Sequence, residues 1–212
     1  MILVLLSVFF CWLIFREVFR PTERFSLFSA AYITVLASLA IACALPAYKI
    51  WRLEIFLSEK ASIIAERANV VVKCNSIFET IFDGKGLDTL AGTAYFQTGE
   101  IFFEDNWCKS FIQYLDHPES ASSKELFAMH VFTHEVMHIR GERNERKTDC
   151  QAIQRNHTVG ELLGIDATLA RKNALKYYNT GYQRHPYFDK NCRPRGKYDE
   201  RLPDSIWEKR VR

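Results

Sequence analysis

The pattern of apolar and polar positions divides the chain near residue 52. Residues 25–45, FSLFSAAYITVLASLAIACAL, form an uncharged run of 21 residues. As a helix this run is about 31 Å long, close to the thickness of a bilayer's hydrocarbon core. Tyr48 and Trp51 follow it, where amphipathic rings meet the membrane interface. A shorter run of 14 residues covers positions 2–15, ILVLLSVFFCWLIF. It reaches only about 21 Å as a helix and reads as a tilted first span or a membrane-lying arm. A cleaved signal peptide is the competing reading, although no small-residue cleavage site follows the run. Arg16, Arg20 and Arg24 lie between the two runs. Basic residues in short loops stay in the cytoplasm, which places everything past residue 52 outside it.

Beyond that point the periodicity changes. Leu53, Phe56, Leu57, Ile63 and Ile64 recur at helical spacing and predict an amphipathic helix within residues 53–72. Residues 93–103, TAYFQTGEIFF, place two aromatic runs around a turn with Gly99, the pattern of a β-hairpin. The clearest helix is predicted over residues 123–140. Ser122 and Glu125 have capping-box spacing before it, and Gly141 ends it. Leu126, Phe127, Val131, Phe132, Val136 and Met137 supply its apolar faces. Asn144 is a candidate N-cap for a second helix, and Thr158 with Glu161 a candidate capping box for another. Asp166 is placed to cap a last helix carrying Leu169, Ala174, Leu175, Tyr178 and Tyr182. From Pro186 onward the chain reads as irregular, held by Cys192 and Trp207. The fold class expected is α+β. One or two transmembrane segments occupy residues 1–52, and a compact, mainly helical domain with a small β-hairpin or sheet occupies residues 53–212.

Charge adds little to this picture. With 28 basic and 25 acidic residues the net charge is +3, which makes no electrostatic case for nucleic acid. The cysteines add more. Cys11 and Cys43 lie in the apolar runs, while Cys74, Cys108, Cys150 and Cys192 are spread over the rest. In an oxidising compartment these four form two disulfides, and order alone favours Cys74 with Cys108 and Cys150 with Cys192. Four free buried thiols are the alternative.

The candidate chemistry lies in THEVMH and, shortly after it, NERKTDC. His134 and His138 are one helical turn apart on one face, so both imidazoles can reach one zinc ion. Glu135 stands beside them as a candidate general base towards a metal-activated water. His130 lies a turn earlier, but it is about 12 Å along the axis from His138 and cannot share that ion. It reads as a hydrogen-bonded packing residue. Two histidines leave zinc short of a ligand, and Glu145 and Asp149 lie on the next helix. Glu145 is assigned to the metal, and Asp149 to the second ring N–H of His134. The swapped assignment stays open. His157, Tyr178, Tyr182 and His185 are available to stabilise an oxyanion, with none singled out. The hairpin either offers an edge strand to a peptide or belongs to the core.

HEVMH with NERKTD resembles the H-E-x-x-H and N-E-x-x-x-D pair of the thermolysin-like gluzincins, in which the Glu ligates zinc and the Asp orients a histidine. The separation of His138 and Glu145, seven positions, is much shorter here. HEVMHIRGERNE is also similar to the metzincin pattern, with Asn144 where that pattern has a third histidine. HVFTHEVMHIRGERNERKTDCQAIQ together with CRPRGKYDERLPDSIW resembles a group of small bacterial membrane-anchored zinc metallopeptidases. The resemblance implies a zincin-like domain outside the cytoplasmic membrane, zinc (Zn²⁺) as cofactor and a peptide or protein substrate. The rival readings are a non-catalytic envelope protein with a structural zinc site and a zinc amidase acting on cell-wall peptides.

Overall fold

The computed structural model describes residues 2–19, 27–75 and 92–207. Arg20, Arg24 and Phe25, used above for orientation and for the longer apolar run, lie outside the described residues. The chain divides into two compact units, Met1–Arg52 and Leu53–Arg212. In the first, α1 (Ile2–Val18) and the apolar part of α2 (Leu27–Ile64) are helical, and the Ser7 hydroxyl donates to the Ala40 carbonyl at 3.0 Å. Large apolar side chains such as Leu5, Phe9, Val35 and Ile41 stand exposed in this unit. The helix Leu27–Ile64 is long and apolar enough to cross a membrane.

The helix expected within residues 53–72 is present, but it is shorter than expected. It is the continuation of the apolar helix, with Pro46 inside it, and it stops at Ile64. Left-handed backbone at Glu66 and Asn69 (φ 54° and 60°) turns the chain. The β-branched pair Val71 and Val72 then opens strand β1 (Val71–Asn75). Leu53, Leu57, Ala61 and Ile64 are buried along one face of the helix.

The second unit is mainly helical with a three-stranded sheet in the order β1-β3-β2. Strands β2 (Gly92–Tyr95) and β3 (Glu100–Glu104) form the expected hairpin, pairing Tyr95 with Glu100. Gly99, at φ +81°, closes the turn by donating its N–H to the Tyr95 carbonyl at 2.8 Å. β1 lies parallel to β3, so β3 is central and the sheet has two edges. The β1 edge is sealed by side chains of α2. The N–H groups of Val70, Val72 and Cys74 donate to Ser62 Oγ at 3.1 Å, Ser58 Oγ at 2.8 Å and Glu54 Oε1 at 2.8 Å. Four helical residues advance about 6.0 Å and two strand residues about 6.6 Å, so the two rows stay in step.

Helix α3 (Asp105–Asp116) is an element the sequence reading did not assign. It buries Cys108, Phe111 and Tyr114 at helical spacing. Helix α4 (Ser123–Ile139) has both hydrogen bonds of the Ser122–Glu125 capping box and is the central helix. It packs against α3, against β2 and against the next two helices, α5 (Glu145–Leu162) and α6 (Ala167–Thr180). That position explains why its burial extends to almost every side of the helix. Asn144 caps α5 and Asp166 caps α6 through their side chains. The capping box read at Thr158 does not exist. α5 runs through it, and the Thr158 hydroxyl donates to Asp204 Oδ2 at 2.8 Å. Tyr182 lies past the end of α6, in a short 3₁₀ turn.

Two disulfides tie the unit together, Cys74–Cys108 between β1 and α3 and Cys150–Cys192 between α5 and the irregular C-terminal segment. Gln154 of α5 clasps the same segment, donating to the Tyr198 carbonyl at 2.9 Å and accepting from the Glu200 N–H at 2.9 Å. Replacing Cys150 and Cys192 together by serine is expected to lower the unfolding free energy by about 2–5 kcal/mol. Denaturant titration of the detergent-solubilised full chain checks this, and a loss within error would show that the clasp holds without the bridge.

Candidate metal centre

The capped start of α4 sets the phase in which His130, His134 and His138 follow one another by single turns along the helix. Gly141, at φ +116°, ends the helix, and the short turn to Asn144 brings the first turns of α5 back against it. Helix pairing thus places Glu145 and Asp149, themselves one turn apart, beside the histidines.

His134, His138 and Glu145 converge. His134 Nε2 lies 3.1 Å from Glu145 Oε2, His138 Nε2 lies 3.3 Å from the same oxygen, and the two Nε2 atoms are 3.0 Å apart. The outer ring nitrogens explain why this geometry calls for a cation. His138 Nδ1 faces the Glu142 carbonyl at 2.7 Å, and His134 Nδ1 faces Asp149 Oδ1 at 3.2 Å. Both partners only accept, so each Nδ1 carries the hydrogen and each Nε2 presents a lone pair. Two lone pairs and a carboxylate oxygen then point at one another with no donor between them. Ligands 2.0–2.1 Å from a tetrahedral ion lie about 3.3 Å apart, close to these spacings. The three residues can hold a divalent metal ion. When a proton takes the place of a metal, burial draws the His134 pKa down, but hydrogen bonds to Asp149 and Glu145 outweigh it and raise it to about 9. The hydrogen bond from His134, foremost, holds the Glu145 carboxyl below its usual range.

Asp149 stands outside that cluster, on the far side of the His134 ring. Its Oδ1 receives His130 Nε2 at 2.7 Å as well as His134 Nδ1, and its Oδ2 faces His185 Nδ1 at 3.2 Å. Burial alone would raise this carboxyl, yet the surrounding imidazoles hold it well below the usual carboxylate range. His130 is fully buried and kept neutral by desolvation, and its Nδ1 accepts from Asn156 Nδ2 at 3.2 Å. His130, Asp149 and His185 form a second cluster of potential ligands. There the 2.7 Å contact is a hydrogen-bond distance, shorter than the spacing of two ligands on one ion.

Glu135 is buried in the same cleft, and burial raises its carboxyl above the usual range, countered in part by His134 and His138. The backbone N–H of Ala94, on the edge strand β2, donates to it. Gly92 allows this approach, since a Cβ there would lie 2.8 Å from the Phe103 ring and 3.1 Å from Glu135 Cγ. The cleft, about 380 Å³, is lined further by Phe96, Arg143, His185 and Tyr187.

Of the four residues set aside as oxyanion stabilisers, only His185 reaches the cleft. His157 faces Asp204 at 3.6 Å, the Tyr178 hydroxyl donates to the Cys192 carbonyl, and the Tyr182 hydroxyl accepts from the Asp189 N–H. Tyr187, which the sequence reading did not consider, lines the cleft and stacks on the His134 ring at 5.8 Å. Burial, followed by the charges of Glu145, Glu135 and Asp149, pushes its phenol up, so it stays protonated. Its one sequence signal is its place two residues after His185, in a segment tied down at Cys192.

The purified full-length chain is expected to carry about one metal per molecule, lost in His138→Ala and largely lost in Glu145→Ala. Asp149→Ala is expected to weaken binding by about 10–100-fold. Elemental analysis beside a chelator titration checks the order, and a greater loss from Asp149 than from Glu145 would exchange their roles. Comparison with protein-family models, with curated proteins and with solved structures finds no match to this chain.

Proposed function

We propose that this protein is a zinc-dependent peptidase held by an apolar membrane anchor, with its catalytic domain outside the cytoplasm. One observation carries the reading: a three-acceptor cluster and a buried carboxylate of raised basicity share one open cleft. Two imidazoles and one carboxylate suit zinc. Three protein ligands are the number found in catalytic sites, whereas structural sites are closed by four. The Glu145 side chain is 45% exposed, so the cluster opens to solvent on that side. This favours a catalytic over a structural ion.

His134, His138 and Glu145 would hold the zinc, which when bound supplies carbonyl polarisation and a water acidified towards about pKa 7. Glu135 accepts the proton of the attacking water and delivers it to the leaving nitrogen. The Ala94 N–H fixes the carboxylate that does this. The Tyr187 hydroxyl is a donor the cleft offers to developing negative charge, and the His185 ring lines the same wall. Among the described residues, strand β2 is the sheet edge on this side, and an extended peptide is proposed to lie along it. The two disulfides support an oxidising compartment, the apolar helix Leu27–Ile64 supports the anchor, and Arg16 with Arg20 and Arg24 supports the orientation.

Glu135→Gln is expected to keep its metal and to lower kcat by about 10²–10⁴-fold. Turnover of a casein-derived peptide mixture, followed by mass spectrometry beside elemental analysis, checks this. Hydrolysis at the wild-type rate would remove Glu135 from the base role. Zinc must displace the His134 proton, whose pKa is about 9. Apparent affinity is therefore expected to fall about tenfold for each pH unit below that value. Competition with a chelating dye between pH 6.5 and 8.5 measures the slope, and a flat profile would contradict it.

A further inference from the structure

The turn between α4 and α5 and its flanks carry four basic residues, Arg140, Arg143, Arg146 and Lys147. Three of them are committed. Arg140 pairs with Glu66 at 2.5 Å, Arg146 with Asp189 at 3.7 Å and Lys147 with Glu142. Arg143 has no carboxylate partner among the described residues, and it is the one of the four that lines the cleft. The acids nearest to it in the chain are already engaged. Glu142 is held by Lys147 and by the Asn144 N–H, and Glu145 by the two imidazoles.

The guanidinium is nevertheless positioned. Its central carbon lies 4.5 Å from the centroid of the Phe96 ring, at the tip of the β2–β3 hairpin. That tip is itself fastened, since Arg67 donates to the carbonyls of Phe96 and Gln97. Stacking on an aromatic face restrains a guanidinium while leaving the N–H groups of its edge free. Such an edge matches a carboxylate through two parallel hydrogen bonds. The result is a platform-held cation, without a carboxylate partner among the described residues, at the end of the cleft where the hairpin meets the turn after His138.

We propose that Arg143 determines specificity by binding a carboxylate of the substrate, so that the cleft prefers acidic peptides. The proposal rests on the peptidase reading. The carboxylate belongs either to an acidic side chain or to the free C-terminus of the peptide, and the two sources present the same chemistry.

Three peptides that begin with a succinyl hydroxamate followed by leucine distinguish them, ending in a glutamate amide, a glutamine amide and a glutamine with a free C-terminus. Each is titrated by calorimetry into the zinc-loaded full-length chain in detergent, an experiment that needs no hydrolysis. One of the two acids is expected to bind about tenfold or more tightly than the neutral amide, and which one identifies the source. The preference should vanish in Arg143→Glu and fall in Arg143→Lys, which keeps the charge but loses the stacked, paired N–H groups. Arg143→Gln replaces the charge reversal if that variant loses metal. Equal affinity for all three probes in the wild type overturns the proposal while leaving the zinc site standing. So does a preference unchanged by the Arg143 variants. Failure of any probe to bind overturns the proposal together with an accessible zinc site, and loss of hydrolysis in Glu135→Gln is decided separately.

Discussion

A carboxylate buried away from water must be surrounded by donors, and Asp149 is that group here. Three imidazoles face it, from His130 and His134 on α4 and from His185 on the C-terminal segment. This one interaction fixes several things at once. It sets the packing of α5 on α4, because Asp149 cannot slide along the helix without leaving its charge unpaired. It fixes the tautomer of His134 and so turns a lone pair towards His138 and Glu145. It also draws the C-terminal segment over the site. His130 takes no part in the ligand cluster, but it supplies the shorter of the two hydrogen bonds to Asp149 Oδ1, and Asn156 holds it in turn.

The sheet serves the same site through the difference between its two edges. An exposed edge carries unpaired backbone groups and invites association. On the β1 side, Ser62 receives the N–H of Val70, just before the strand, and Ser58 and Glu54 receive those of Val72 and Cys74, so that edge is closed from within the chain. On the β2 side, the Ala94 N–H goes to Glu135. Among the described residues, β2 is thus the edge strand aimed at the cleft. Gly92 is the residue that lets strand and carboxylate meet, as a Cβ there would collide with the Phe103 ring at 2.8 Å and crowd Glu135 Cγ at 3.1 Å.

The irregular C-terminal segment has little regular structure to hold it, and its order comes from side-chain fastenings. Cys192, Gln154 and the Thr158–Asp204 hydrogen bond attach it along α5. These fastenings place His185 and Tyr187 opposite the histidines of α4. A segment of this kind is cross-linked beside the site it completes, since Cys150 is the residue after Asp149.

Local signals were legible in the sequence wherever neighbouring residues carry them. The capping boxes and caps at Ser122, Asn144 and Asp166, the glycine turn of the hairpin and the apolar run of α2 depend on contacts within a few positions. The pairing of Cys74 with Cys108 and of Cys150 with Cys192 followed from chain order. Helix α3 has its own local signal, since Cys108, Phe111 and Tyr114 have helical spacing, but the amphipathic pattern is short. The end of α2 at Ile64 was not legible, because it depends on strand β1 settling against Ser58 and Glu54 of the same helix. Nor did the pattern at Thr158 reveal that a helix would run through it. The spacing of His134, Glu135, His138, Glu145 and Asp149 determined by itself which groups could share a face. Only the tertiary structure decided that Asp149 lies behind the His134 ring, that β2 meets Glu135, and that Tyr187 and Arg143 enter the cleft. Those contacts join residues from separate elements, and their positions follow from packing and burial, which no local spacing encodes.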